Sequence, residues 1–481
     1  MERKSTALDI YNHALKQVKH VGIGYEKLKK AQAEVLKEVA PPKSVDPLTM
    51  LPREMALIVL EYLSFRQRIA ISRVSKGWKD FIRSEPNLWA HMDLTGARAK
   101  VTNRFVSVTI NTAREKLVAA TLNQLSDFDK VLNAVAGRPS LQSMTLLETG
   151  LQGQNLVAML EKAKSLRELR ISRGTEVSQS VLQSLARQHC DKLEALHCAR
   201  VKQISFGSAW DFRLPSLTTL DITADCIKEP AILCDKLRQH SPNLRSLTLY
   251  ETTTRSTLAG RLDLSQCLDL NHVRLRLLLS FPHQLCLPPS IKSLDVGSCC
   301  SGHVGSNFFD VMEHSDNAQG LKWSRLPKLS EVKLDFPGAR LASIVEPFHI
   351  THHEGQEIPA ISKLKSLSMV NPNILPKATF SCHERLRDLE HWAITGCLGL
   401  KDDDVECMLR SYKKLRSLDF SGSSITGVAI KEIVKAGHVK ELIANDCLQV
   451  GRDAVDWARA QGLKVQFAST NMQNNGKKVR Y

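Results

Sequence analysis

Residues 415–420, Leu-Arg-Ser-Leu-Asp-Phe, decide the fold, because the same six-residue unit returns along most of the chain. It stands earlier as Leu141-Gln-Ser-Met-Thr-Leu146, Leu166-Arg-Glu-Leu-Arg-Ile171 and Leu193-Glu-Ala-Leu-His-Cys198. Further copies occupy residues 217–222, 244–249, 270–275, 291–296, 329–334, 364–369, 389–394 and 439–444. Successive starts lie 21 to 27 residues apart, except for two intervals of 38 and 35. Side chains alternate along a strand, so the fixed apolar positions point to one face and the residues between them to the other.

A repeat of roughly 20–29 residues built on L-x-x-L-x-L is the leucine-rich-repeat signature. It predicts an α/β chain, with a curved solenoid carrying parallel strands on the concave face and helices on the convex face. Segments 402–412 and 427–436 have the apolar spacing of such helices. Eight residues after a repeat start stand Cys299, Cys397 and Cys447, with Ser423 in the equivalent place. A small donor there is expected to satisfy backbone carbonyls of the next coil where the chain turns inward.

Upstream lies LTMLPREMALIVLEYLSFRQRIAISRVSKGWKDFIRSEPNLW, residues 48–89. Met55, Ile58, Val59, Tyr62 and Leu63 recur at helical spacing, and Ile69, Ile71, Val74 and Trp78 follow in a second run. About forty residues cannot bury this many large apolar groups alone. The order Leu51-Pro-x-Glu54, Ile58-x-Leu60-x-x-Leu63, Val74-Ser-Lys-x-Trp78, Leu88-Trp89 resembles an F-box. One departure is Phe65-Arg-Gln-Arg68-Ile69 where Asp-Leu is common; it keeps an apolar anchor and adds positive charge. The resemblance implies a three-helix hook into a Skp-type adaptor, and through it the cullin, of an SCF ubiquitin ligase. The residues it assigns to that contact are Leu48, Leu51, Pro52, Met55, Ile58, Leu60, Leu63, Ile69, Val74 and Trp78. The cysteine positions also resemble the repeats that follow many F-boxes.

The remaining segments take their places around these two modules. Residues 1–40 read as two helices, in which Ala7, Tyr11 and Ala14 resemble the second helix of a tetratricopeptide (TPR) repeat. Residues 41–47 form a Pro-rich linker before the F-box at 48–95. A connector is expected over 96–140, with Phe105, Val106, Val108 and Ile110 alternating like a strand and 117–132 reading as helix. The repeats are set at 141–468, and 469–481 is expected to be a disordered basic tail. The order TPR, F-box, repeat array resembles fungal receptors associated with replication and genome maintenance.

Across 481 residues, 43% are hydrophobic and 24% charged, near the globular average. No run of eighteen apolar residues is present, so no membrane partner is expected. The N-terminus lacks a secretory core, and the 12 cysteines, without a CxxC pair, are expected to be reduced thiols in nucleus and cytoplasm. The formal charge of +16 favours acidic partners, yet the basic residues are spread from end to end rather than gathered in a block.

Nothing in the chain has the pattern of a catalytic site, so it reads as a non-catalytic subunit without cofactor. His349, His352, His353 and Glu354 are the one cluster suggestive of metal, but their spacing suits a solvated loop better. Target binding is assigned to the strand face, first to Tyr250, Arg274, Arg276, Lys333 and Asp335. An aromatic beside arginines is typical of interface hot spots and suits an acidic or phosphorylated protein. Two other readings remain open at this point: a repeat scaffold acting at chromatin outside any ligase, and direct nucleic-acid binding.

Overall fold

The computed structural model describes residues 46–96, 102–123, 128–149, 151, 153–172, 177–189, 191–205, 213–228, 230–252, 262–276, 285–297, 326–335, 364–370 and 386–468. The TPR-like helices, Cys299, the histidine cluster of 349–354 and the basic tail therefore lie outside the described residues. The chain divides into two compact units between Glu176 and Val177.

The first unit opens with a short helix α1 (Pro47–Met50), then α2 (Arg53–Glu61), α3 (Phe65–Ile71) and α4 (Lys76–Ser84). Each break has a local cause. Ser64 caps α3 reciprocally with Gln67: its hydroxyl accepts from the Gln67 N–H at 3.3 Å, and the Gln67 side chain accepts from the Ser64 N–H at 2.8 Å. Ser75 caps α4 by accepting from the Trp78 N–H at 3.2 Å. Each such cap contributes about 1 kcal/mol. A 3-10 turn (Pro86–Trp89) follows and brings Trp89 inward. The Trp89 indole donates to the Ile82 carbonyl at 2.8 Å, and Phe65 meets it edge-on with centroids 5.9 Å apart. Arg53 bridges to Glu85, tying α2 to the end of α4.

Strand β1 (His91–Asp93) comes next, then helix α5 (Asn103–Ala113). This corrects the strand expected at 105–110. Val106, Thr109, Ile110 and Ala113 are the buried residues, an i, i+3, i+4, i+7 stripe that belongs to a helix, and Thr102 caps its start. The helix expected over 117–132 is also corrected, for strand β2 (Ala119–Leu122) stands there, followed by α6 (Phe128–Ala136). β3 (Ser143–Leu146), α7 (Gly153–Lys162) and β4 (Glu168–Ile171) complete the unit. β1, β2, β3 and β4 pair in order and in parallel. The parallel ladder thus starts fifty residues before Leu141, and β2 places residues 119–122 of the expected connector within it.

The second unit repeats that arrangement. After α8 (Gln179–His189) come β5 (Ala195–Ser205), β6 (Thr219–Lys228), α9 (Pro230–His240) and β7 (Ser246–Glu251). β8 (Leu262–Asp263) pairs apart from the main ladder with β10 (Leu285–Cys286), and β9 (His272–Arg276) lies between them in sequence. β11 (Ser293–Gly297), β12 (Glu331–Asp335), β13 (Ser366–Val370) and β14 (His391–Thr395) follow. Then come α10 (Asp402–Ser411), β15 (Ser417–Asp419), α11 (Gly427–Ala436), β16 (Glu441–Ile443), α12 (Arg452–Ala460) and β17 (Lys464–Gln466). The main ladder runs β5, β6, β7, β9, β11 and on through β17, parallel throughout. Its inward positions include Leu247, Val273, Leu294, Leu367, Leu418 and Leu442, all buried.

At the turn after β16 the expected small donor acts, with a change of direction. Cys447 donates to the Phe420 carbonyl at 3.1 Å, which lies in the preceding coil, not the next. Ser423 sits 3.7 Å from the same thiol. The residue just before each small donor is left-handed: Gly396 at φ 69°, Gly422 at φ 70° and Asp446 at φ 55°. Stacked coils explain the glycine: a Cβ on Gly422 would lie 3.3 Å from the Gly396 Cα.

Candidate functional site

Two surfaces remain after the core is accounted for. The first is on α2, α3 and α4. Helical periodicity divides α2, sending Ala56, Leu60 and Leu63 inward and Met55, Ile58 and Tyr62 outward. Ile58, Tyr62 and Val74 are 43%, 46% and 44% exposed, a high fraction for large apolar groups in a well-capped helical unit. Leu48, Leu51, Met55, Ile69 and Trp78 are half-buried, and Pro52 is exposed. Leu60 and Leu63, expected at the adaptor contact, are only 2% and 4% exposed. They hold the helices together and are not available to a partner. Met50 and Tyr62 join the exposed set instead. The helical spacing from Ile58 to Tyr62 already carried that signal for Tyr62.

Arg68 is also corrected. Its charge does not reach a partner surface, because the residue is buried and its guanidinium donates to the Leu88 carbonyl. Burial pushes its pKa down, with nearby Glu61 acting in the opposite sense.

The second surface is the strand face of the second unit. Register places Thr248 beside Arg274, Tyr250 beside Arg276, and Arg274 beside Asp295, which pairs on with Lys333. Arg276 aligns with Gly297, and Gly297 with Asp335. The five residues named from sequence are therefore neighbours across β7, β9, β11 and β12. Their chemistry differs from expectation at Arg276, which is 8% exposed. Its guanidinium meets Asp295 at 2.5 Å and Asp335 at 3.6 Å. Arg274 holds the other Asp295 oxygen at 2.8 Å.

Gly297 makes this possible, since a Cβ there would lie 2.8 Å from the Arg276 guanidinium and 2.6 Å from the Asp335 carbonyl. Arg276 is thus part of the scaffold and offers no charge to a ligand. With Asp295, Asp335 and Glu331 beside Arg274, Arg276 and Lys333, the patch is close to neutral. Tyr250, Arg274 and Lys333 are the members that reach solvent.

Residues 48–95 match the F-box-like family model. They are an F-box-like domain. The chain combines this F-box with a leucine-rich-repeat ladder. Over nearly its whole length it is similar to the F-box/TPR repeat protein pof3 of Schizosaccharomyces pombe, at 22% identity over 502 residues, covering 98% of this chain and 83% of the relative. Among solved structures, it resembles an internalin (inlF) from Listeria monocytogenes, at 13% identity and TM-score 0.37, covering 76% of this chain and 83% of that one. It also resembles a chain of the Rad7 and Elc1 complex in yeast, at 15% identity and TM-score 0.31, covering 87% and 98% respectively.

Among the described residues, no group of three or more His, Cys, Asp or Glu is placed to hold a metal. Likewise, no described helix is long and apolar enough to cross a membrane. Cys198, Cys234, Cys267, Cys397 and Cys447 are buried among the described thiols. Burial pushes Cys198 up to about 12 and Cys267 up to about 11, far from a reactive thiolate.

Proposed function

We propose that the chain is the substrate-recognition subunit of an SCF-type ubiquitin ligase, with the F-box docking a Skp-type adaptor and the repeat ladder holding a target protein. The exposed apolar side chains of Ile58 and Tyr62 along α2, and of Val74 in the turn before α4, support this best. Full burial of such a side chain is worth about 1.5–3 kcal/mol in transfer terms, and covering the exposed part of each of these contributes about half of that. The chain itself is non-catalytic in this reading. It raises the effective concentration of a target lysine near ubiquitin carried by the cullin-bound machinery. Targets in replication or genome maintenance, and work in nucleus and cytoplasm, are the finer part of the proposal. They rest on the resemblance to fungal receptors of the same module order.

The test is co-purification of adaptor and cullin with the full chain. Leu51→Ala with Pro52→Ala, and separately Ile58→Asp with Val74→Asp, should abolish adaptor recovery while circular dichroism stays unchanged. Tyr250→Ala with Lys333→Glu should spare adaptor and lose the target. Undiminished adaptor binding by both F-box variants would refute the proposal.

A further inference from the structure

Part of the positive charge, dispersed in sequence, is lined up by the fold along one edge of the second unit. The residue just before each strand forms a row, because its N–H bonds the carbonyl of the equivalent residue one coil back. Lys292 donates to Asn271 at 2.7 Å, Ser330 to Lys292 at 2.8 Å, Lys365 to Ser330 at 2.9 Å and Lys440 to Arg416 at 2.7 Å. From β7 to β16 this row carries Arg245, Lys292, Lys365, Arg416 and Lys440, all exposed. Glu390 is its acidic member. Lys365 is paired with Glu390 at 3.6 Å. Arg245, Lys292, Arg416 and Lys440 make no ion pair among the described residues.

We propose that this basic edge is a sequence-independent binding surface for the phosphate backbone of double-stranded nucleic acid. Three observations favour that partner over a protein. Strands sit about 4.8 Å apart, so the row spans about 34 Å, close to one turn of a duplex at about 34–36 Å. The remaining members, Asn271 and Ser330, are small and polar, and no aromatic or large apolar residue stands in the row. Protein interfaces are enriched in aromatics and depleted in lysine, whereas phosphate contacts come from Lys, Arg, Ser and Asn side chains. The strand face proper is not the site, since its arginines are neutralised by Asp295 and Asp335.

The surface is independent of the adaptor-binding face, so its failure leaves the ligase reading intact. The experiment is fluorescence polarisation of the full chain against a labelled random duplex of about 30 base pairs, between 50 and 200 mM salt. Four phosphate contacts give a log–log slope of about −3.6, which is roughly a 150-fold loss of affinity over that range. The combination Arg245→Gln, Lys292→Gln, Arg416→Gln and Lys440→Gln should remove most of that slope, at about 0.9 per charge. Arg245→Lys with Arg416→Lys should keep it, separating charge from packing. No duplex binding, a slope that the four substitutions leave unchanged, or capture of a polyglutamate peptide in preference to duplex would each overturn the proposal.

Discussion

Arg276 and Arg274 occupy one strand two residues apart and contact the same carboxylate, yet they should behave very differently when removed. The Arg276 side chain is 9% exposed and faces Asp295, itself 11% exposed, so deleting it strands a desolvated charge. Breaking a buried pair in this way costs about 3–5 kcal/mol. The lower end applies here, near 3 kcal/mol, because Arg274 still donates to the second Asp295 oxygen at 2.8 Å. The Arg274 side chain is 59% exposed, and Arg274→Ala should cost under about 1 kcal/mol after solvent screening.

Gly297→Ala tests the same geometry from the other side. Its Cβ would press on the Asp335 backbone, which cannot swing away as a side chain can, at about 1–3 kcal/mol. Urea unfolding of the full chain gives the ranking. Amide exchange in β9, β11 and β12 then localises the effect, since long repeat arrays need not unfold as one unit. Equal destabilisation by Arg274→Ala and Arg276→Ala would refute the assignment of Arg276 to the scaffold.

Three further outcomes follow from packing described above. Trp89→Phe leaves the buried Ile82 carbonyl without its donor and should destabilise the F-box by about 1–3 kcal/mol in thermal melts. Gly422→Ala places a Cβ at φ 70° and 3.3 Å from Gly396, and should cost about 1–2 kcal/mol or more in urea unfolding. The Cys198 thiol, raised by burial from 9.0 to about 12, stays protonated in the fold while the unfolded thiol ionises near 9. Stability from this group is therefore full below pH 9 and falls as pH rises from 9 towards 12. Its share of the slope is about 1.4 kcal/mol per pH unit, and Cys198→Ala should remove that share from an alkaline stability profile.

The repeat ladder was legible because its signal is redundant: a dozen copies of the same alternation in register. Its first two strands were not. Met92 and Ala120 stand where the unit has leucine, and without a leucine run the coils at 91–93 and 119–122 do not announce themselves. The α5 segment misled because Val106, Val108 and Ile110 are β-branched and alternate locally. Thr109 and Ala113, buried beside them, carry the helical period but are not large apolar residues.

At the F-box, the sequence pattern could not sort the apolar residues into buried and exposed. Leu60 and Ile58 are both branched aliphatics, and only their angular position on α2 sends one inward and the other out. At Arg276 the missing information was non-local. Two carboxylates from β11 and β12 and the empty space over Gly297 turn an apparent ligand group into a structural one.

The outward side chains of Ile58, Tyr62 and Val74 also bear on how the polypeptide fares without the proposed adaptor. Large apolar side chains left in water favour self-association. Made alone, the chain should pellet or form soluble aggregates, and co-expression with a covering adaptor should bring it back as a discrete species. Its working concentration would then track the supply of that adaptor, so that an unassembled copy is short-lived through its own stickiness.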